Sequence, residues 1–291
     1  MAGNRCVSYS AFTLIMFFLI SVSLSGAGNP ADAGAGETPS PWPFLENAGQ
    51  VYDRNGTPRA DVRFLADRDG STLYLRDEGL SYVFRSLRYP EVPEDRRDDR
   101  AWRIERTVSD VSQFDITFVG MNTESKISAE VPAPWPTRFY VYPHQEQPIV
   151  AQRMQRVLYG AVYPNIDIVF YQNADCVKYD IILHPGGNVE NIRFRYDGVK
   201  ALYTNAEGEL VAETDLGSVV EHAPVAILED GSNVACAFEV DGMDVTFTVG
   251  DYDPQQKLVI DPALIWGTFY GGYADDFIYN LAVDGSDNVY A

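Results

Sequence analysis

From Phe44 onward, apolar and polar residues alternate in short runs, and turn-forming residues interrupt them about every 8–12 positions. Asp61–Ala66 alternates with Val62, Phe64 and Ala66 on one face. Asp67–Ser71 reads as a tight hairpin turn, with Gly70 free to take positive φ, and Thr72–Arg76 returns from it. Leu80–Phe84 follows a turn at Asp77–Gly79, and Phe114–Val119, Lys126–Val131 and Arg138–Tyr142 continue the period of two. Gln147–Tyr159 fits a helix only in part and is assigned to strand. The Tyr163–Asp167 turn feeds Ile168–Tyr171, whose partner Val177–Leu183 ends at His184-Pro185-Gly186-Gly187. Asn191–Asp197 reads as an edge-like strand, and short strands from Ala201 to Ile260 as a meander. No long segment sustains a 3.6-residue apolar period. The spacing predicts an all-β chain: an antiparallel β-sandwich-like domain, in one unit or two subdomains.

The two ends differ from this body. Residues 1–27 read as a secretory signal: Arg5 is the only charge, Ala11–Leu24 is an uncharged apolar run, and Ser25-Gly26-Ala27 offers small residues for cleavage after Ala27. The run is short for a membrane span, which takes about 20 residues, so no stable span is expected; an uncleaved anchor is the alternative. Residues 28–43 form a Gly/Ala/Pro linker without a period, disordered or extended. The folded domain then covers 44–261. Residues 262–291 change character again: an aromatic strand, Gly271-Gly272, Asp275-Asp276, an alternating strand over Ile278–Val283, a turn over Asp284–Asn288, and a strand cut short at Val289-Tyr290. This reads as the start of a β-propeller-type repeat, in a fragment of a longer protein or a gene model that ends early.

Composition narrows the function classes. The formal net charge is −20, which repels nucleic-acid phosphates and anionic lipids; no nucleic-acid partner is expected. With 18 Tyr and 15 Phe, the aromatic content favours strands. Cys6 leaves with the signal, and Cys176 and Cys236 are either a disulfide or two buried thiols. No zinc-type cluster, nucleophile elbow, metalloprotease helix or phosphate loop occurs, so neither cofactor nor metal nor catalytic residue is assigned and the protein is expected not to be an enzyme. The candidates weighed each have a plainer reading. The Asp284-Gly285-Ser286-Asp287-Asn288 turn gathers oxygen ligands as calcium loops do, but Asp and Asn also favour such turns by bonding their own backbone, and Asp275-Asp276 shares that ambiguity. His184 lies at a strand end, with His144 and His222 elsewhere, and reads as structural or merely exposed. Asn55-Gly56-Thr57 is a glycosylation sequon or an ordinary turn. Arg88–Arg103 is an electrostatic docking loop or a solvated insertion. Pro132, Pro134 and Pro136 around Trp135 suit a peptide ligand or a strand stop. Trp42, Trp102, Trp135 and Trp266 are candidates for stacking on sugars.

Six segments appear in one order: FLENAGQ at 44–50, VYPNIDIVFYQ at 162–172, VKYDIILHPGG at 177–187, IRFRYDG at 192–198, GELVAET at 208–214 and LVIDPALIWGTFYGG at 258–272. Together they resemble an uncharacterised all-β domain at the N-terminus of large secreted bacterial proteins, where it precedes SBBP (seven-bladed beta-propeller) repeats. Residues 266–291 look like the first such repeat, and Arg88–Arg103 falls outside the pattern, as an insertion would. The resemblance implies export, often to the cell surface, with the periplasm as the alternative compartment, and a long array of repeat and adhesion-type modules further on. It supplies no catalytic residues. The function expected is therefore a non-enzymatic extracellular structural or adhesion module. Its partners would be the downstream repeats of the same polypeptide and cell-surface glycans or proteins. A glycan-binding module is the alternative, and a secreted hydrolase a further one.

Overall fold

The structure is a computed structural model that describes residues 43–53, 55–68, 71–88, 93, 108–140, 147–173, 176–261, 264–265, 282–283 and 289–290. The signal-like segment, the linker up to Trp42, most of Arg88–Arg103, His144 and the Asp275–Asp276 and Asp284–Asn288 turns lie outside the described residues.

The strands in chain order are β1 (Phe44–Glu46), β2 (Val62–Arg68), β3 (Ser71–Arg76), β4 (Gly79–Arg88), β5 (Val108–Phe118), β6 (Lys126–Pro132), β7 (Thr137–Phe139), β8 (Ile149–Ala151), β9 (Arg153–Tyr163), β10 (Ile166–Asn173) and β11 (Cys176–Leu183). They continue as β12 (Phe194–Asp197), β13 (Ala201–Thr204), β14 (Leu210–Glu213), β15 (Ser218–Glu221), β16 (Val225–Leu228), β17 (Asn233–Val234), β18 (Cys236–Asp241), β19 (Asp244–Val249), β20 (Leu258–Asp261) and β21 (Leu264–Ile265). Ala282–Val283 and Val289–Tyr290, β22 and β23, pair with each other. Among the described residues the one helical element is a 3-10 turn at Val189–Asn191.

Among the described residues every pairing is antiparallel. One large sheet runs β17-β16-β20-β11-β10-β9-β1-β2-β3-β4-β5-β12-β19-β18, with β6 branching from β9. Its two end strands, β17 and β18, are separated in sequence by Ala235 alone, and β16 lies against β18. The right-handed twist of successive strands thus curls the sheet nearly closed into a barrel. A second sheet, β13-β14-β15-β21, packs Leu202, Leu210, Ala212 and Val219 into the same core. The expected two-sheet packing therefore takes the form of one curled sheet with a smaller one against its core.

Alternation explains the filling. Phe114, Ile116 and Phe118 of β5 and Phe194 and Tyr196 of β12 point inward and are buried. Phe114 stacks on Tyr82 with ring centroids 5.0 Å apart, and Phe118 meets Tyr159 edge-on at 5.7 Å. Tyr159 is fully buried and its hydroxyl donates to the Arg76 carbonyl at 2.7 Å, so its one polar group is satisfied. Gly79, at φ +148°, opens β4 where a Cβ would come within 2.0 Å of the Ile116 carbonyl oxygen; only glycine permits that approach.

Several expectations need correcting. A bulge between Val62 and Phe64 turns Val62 away from Phe64 and Ala66. It joins Leu45, Val51, Leu65, Phe139 and Ala151 in a second, smaller core under the β7–β8 hairpin; one extra residue flips the face of everything before it. Asn191–Asp197 is not an edge: β12 starts at Phe194 and lies between β5 and β19. The Ala201–Ile260 region is a meander only for β13–β15, since β16 pairs with β20 and β20 with β11. The run Val234–Val240 breaks at Ala235 into β17 and β18, at opposite ends of the sheet. Gln147–Tyr159 is strand, as β8 and the start of β9.

Candidate functional site

The most unusual group in the core is Glu221. In the sequence it is a polar member of Ser218–His222, but alternation puts it on the face of Val219, and both are buried. Its carboxyl, 3% exposed, accepts from the Tyr179 hydroxyl at 2.7 Å and the Tyr196 hydroxyl at 3.1 Å. Burial pushes the Glu221 carboxyl above the usual range, and the two phenolic hydrogen bonds pull it partly back. Burial also holds Tyr179 and Tyr196 well above the ordinary phenol, with the neighbouring Glu221 charge adding to it. The node ties β15 of the small sheet to β11 and β12, which lie far apart along the large sheet. The void beside it is about 10 Å³, at the lower limit for a single water. The interior is therefore a packed core with a polar tie.

Open space lies instead at one end of the barrel. A groove of about 920 Å³ is walled by Arg63 and Phe64 of β2, the Asp77–Glu78 turn, the end of β5 from Thr117, and the β5–β6 connection leading into Ser125 and Ile127. That volume falls within the range of ligand-binding clefts, about 300–1,000 Å³. Arg63 is paired with Asp77 at 2.6 Å. Arg195 is held by Asp244, Nε to Oδ1 at 2.7 Å and Nη2 to Oδ2 at 2.9 Å. The Arg195 hydrogen bonds keep the Asp244 carboxyl below the usual range. Glu78 and Asp197, which also line the groove, have no ion pair among the described residues. This is the candidate functional site: a polar, acid-rich groove with half-buried Phe64, Met121 and Ile127 at the core side.

The residues singled out from the sequence fall elsewhere. His184 Nε2 sits 2.8 Å from Asp167 Oδ2, while Asp167 Oδ1 accepts the amide of Ala161 at 2.6 Å. Ala161 has φ +51° where β9 bulges against β10, so the pair braces an irregular backbone. His222 is held by Glu209 at 2.9 Å, and Glu209 by Asn205 at 2.8 Å, across a turn. Asn55 and Thr57 donate their amides to Asp53 Oδ1, an Asp-centred turn whose carboxylate is held low by those bonds, the Thr57 amide foremost. Trp135 is 66% exposed; Trp42, Trp102 and Trp266 lie outside the described residues. Cys236 is a free, half-buried thiol that burial pushes up to about 11; the Cys176 side chain lies outside the described residues. Among the described residues no group of three or more His, Cys, Asp or Glu converges as a metal site, and no helix is long and apolar enough to cross a membrane.

Sequence reasoning overlooked both the Glu221 node and the groove. The first had a readable signal, an acid sharing the parity of Val219. The second had none, because its walls come from strands and connections far apart in sequence, from Glu46 to Asp197. No curated protein and no solved structure matches the chain. A family model described as "Domain of unknown function (DUF7948)" matches residues 44–263, a span that starts with β1 and takes in both sheets up to β20. The chain belongs to this DUF7948 family.

Proposed function

We propose that this chain is the N-terminal, non-enzymatic module of an exported protein, which seats the propeller-type repeats that follow and serves surface structure or adhesion. The observation that carries the reading is the path of the chain out of the domain. After β20 completes the large sheet, Leu264–Ile265 crosses to the small sheet and pairs with Val220 and Glu221. Among the described residues β21 is an edge strand, and an edge offers amides and carbonyls to a further strand. A repeat that cannot bury both its faces alone needs such a template. The signal-like first 27 residues and the repeat-like character of 266–291 supply the compartment and the partner.

The test is expression from the native start codon in a bacterial host, followed by fractionation and N-terminal sequencing. A product outside the cytoplasm that begins at Gly28 is expected; retention in the cytoplasm with the N-terminus intact overturns the reading.

A second reading, glycan binding, draws on Trp135 and Tyr140, 66% and 54% exposed, on either side of β7. Flat exposed aromatics on a braced hairpin suit stacking on sugar rings. A glycan array probed with the protein and with Trp135→Ala decides it: hits lost in the variant support it, and no hits at high protein concentration refute it.

A further inference from the structure

The groove described above adjoins an unused strand edge. Among the described residues strand β6 pairs only with β9. On β9 it occupies the edge opposite β1: the Ala133 amide donates to the Arg153 carbonyl at 2.8 Å, whereas the Glu46 amide donates to the Gln152 carbonyl at 2.9 Å, and successive carbonyls of a strand point to opposite sides. Its outer edge therefore stands open among the described residues. Pairing along that edge ends at Val131, with φ +56°, and Pro132, which has no amide to offer. Lys126–Glu130 remains as a ladder-competent stretch, and it begins where Ser125 and Ile127 wall the groove.

We propose that an extended, basic peptide segment of another protein adds as a strand to the free edge of β6 and lays its side chains into this groove. Main-chain hydrogen bonds give such strand addition its affinity, and pockets for alternate side chains give its specificity. Phe64, Met121 and Ile127 offer apolar contacts to one set of side chains. The charge selects the other set. The groove's lining carries four carboxylates, Glu46, Asp77, Glu78 and Asp197, against the two guanidiniums of Arg63 and Arg195. Arg63 is paired with Asp77, and Arg195 shares Asp244 with Arg193, so the surplus is negative and attracts cations.

Within residues 1–291, the segments that flank or interrupt the described strands do not match this chemistry. Residues 262–291 contain neither Lys nor Arg, and residues 1–43 contain only Arg5. The Arg-rich stretch 89–107 balances its five arginines with six carboxylates. It also leaves from the Arg88–Val108 end of the β4–β5 ladder, whereas the groove lies at the Gly79–Thr117 end, ~30 Å away at ~3.4 Å per residue. A second copy, with its own net charge of −20, meets like charge.

The experiment is a fluorescence-anisotropy titration of the full chain with a labelled octapeptide of alternating Lys and Val. Saturable micromolar binding is expected. Replacing each Lys of the peptide by Glu abolishes it, and N-methylating alternate amides weakens it about tenfold or more, since strand addition needs those donors. The double variant Glu78→Lys/Asp197→Lys, with unchanged melting temperature as proof of folding, weakens it about tenfold through charge alone. No saturation at millimolar peptide overturns the proposal. So does equal binding of the N-methylated peptide, which is adsorption by charge alone, or equal binding by the charge-reversed variant. Self-association in sedimentation that is lost on Ser128→Pro also overturns it, by assigning the edge to a second copy. None of these outcomes bears on export or on the seating of repeats.

Discussion

Replacing Glu221 with glutamine removes the charge from the polar tie while keeping its length and one acceptor oxygen. The folded Glu221 carboxyl titrates above its ordinary value, first because it is buried, with the Tyr179 and Tyr196 hydrogen bonds opposing that shift. Between the ordinary and the raised value the folded state therefore holds a proton that the unfolded state has released. Unfolding free energy must then fall as pH rises through that interval and level off above the folded value, with a slope that approaches but does not exceed about 1.4 kcal/mol per pH unit. Carboxylates held low by arginines, such as Asp61 and Asp244, contribute the opposite slope at lower pH. Subtracting the Glu221→Gln profile from that of the parent cancels them and isolates the one group. Urea denaturation followed by tryptophan fluorescence, at half-unit steps from about pH 4 to about pH 8, measures the difference. The stability of the parent relative to the variant should decline with rising pH. Tyr179→Phe should move the decline to higher pH, because it removes a hydrogen bond that holds the carboxyl down. A difference that stays flat over the whole range refutes the raised carboxyl.

Two further outcomes follow from the packing. Gly79→Ala places a methyl 2.0 Å from the Ile116 carbonyl oxygen at a φ of +148° and should cost about 2–4 kcal/mol in the same denaturation assay. Cys236, with its thiol pushed up to about 11, should react with a thiol reagent at pH 8 about a hundredfold more slowly in the native state than in urea, as read by absorbance in a Cys6→Ser/Cys176→Ser background.

The class of the fold was readable because strand alternation is local. Val219 and Glu221, or Phe114, Ile116 and Phe118, declare their common face by spacing alone. Two-residue connections were equally local: Tyr163 and Ile166 pair across Pro164-Asn165, where Asn165 takes φ +59°, a value that asparagine tolerates. The bulge at Val62–Phe64 was not legible, since a sequence does not show where one strand slips past its partner. The break at Ala235 was not legible either, because Val234–Val240 keeps its alternation across a residue at which the chain passes from one end of the sheet to the other. His184 was read as structural or merely exposed, and its contact with Asp167 beside the Ala161 bulge depended on a partner strand that spacing does not reveal.

By itself the sequence determined the all-β character, the antiparallel hairpins, the inward aromatic faces and the acidic surface, because each depends on residues a few positions apart or on composition. Tertiary structure alone decided which strands meet over long separations. It curled one sheet until β17 and β18 nearly touch, buried Glu221 between two tyrosines from distant strands, and left the outer edge of β6, among the described residues, open beside an acidic groove. The physical reason is that these features depend on contacts whose loop-closure cost is repaid only by the complete core, so no local stretch of sequence contains them.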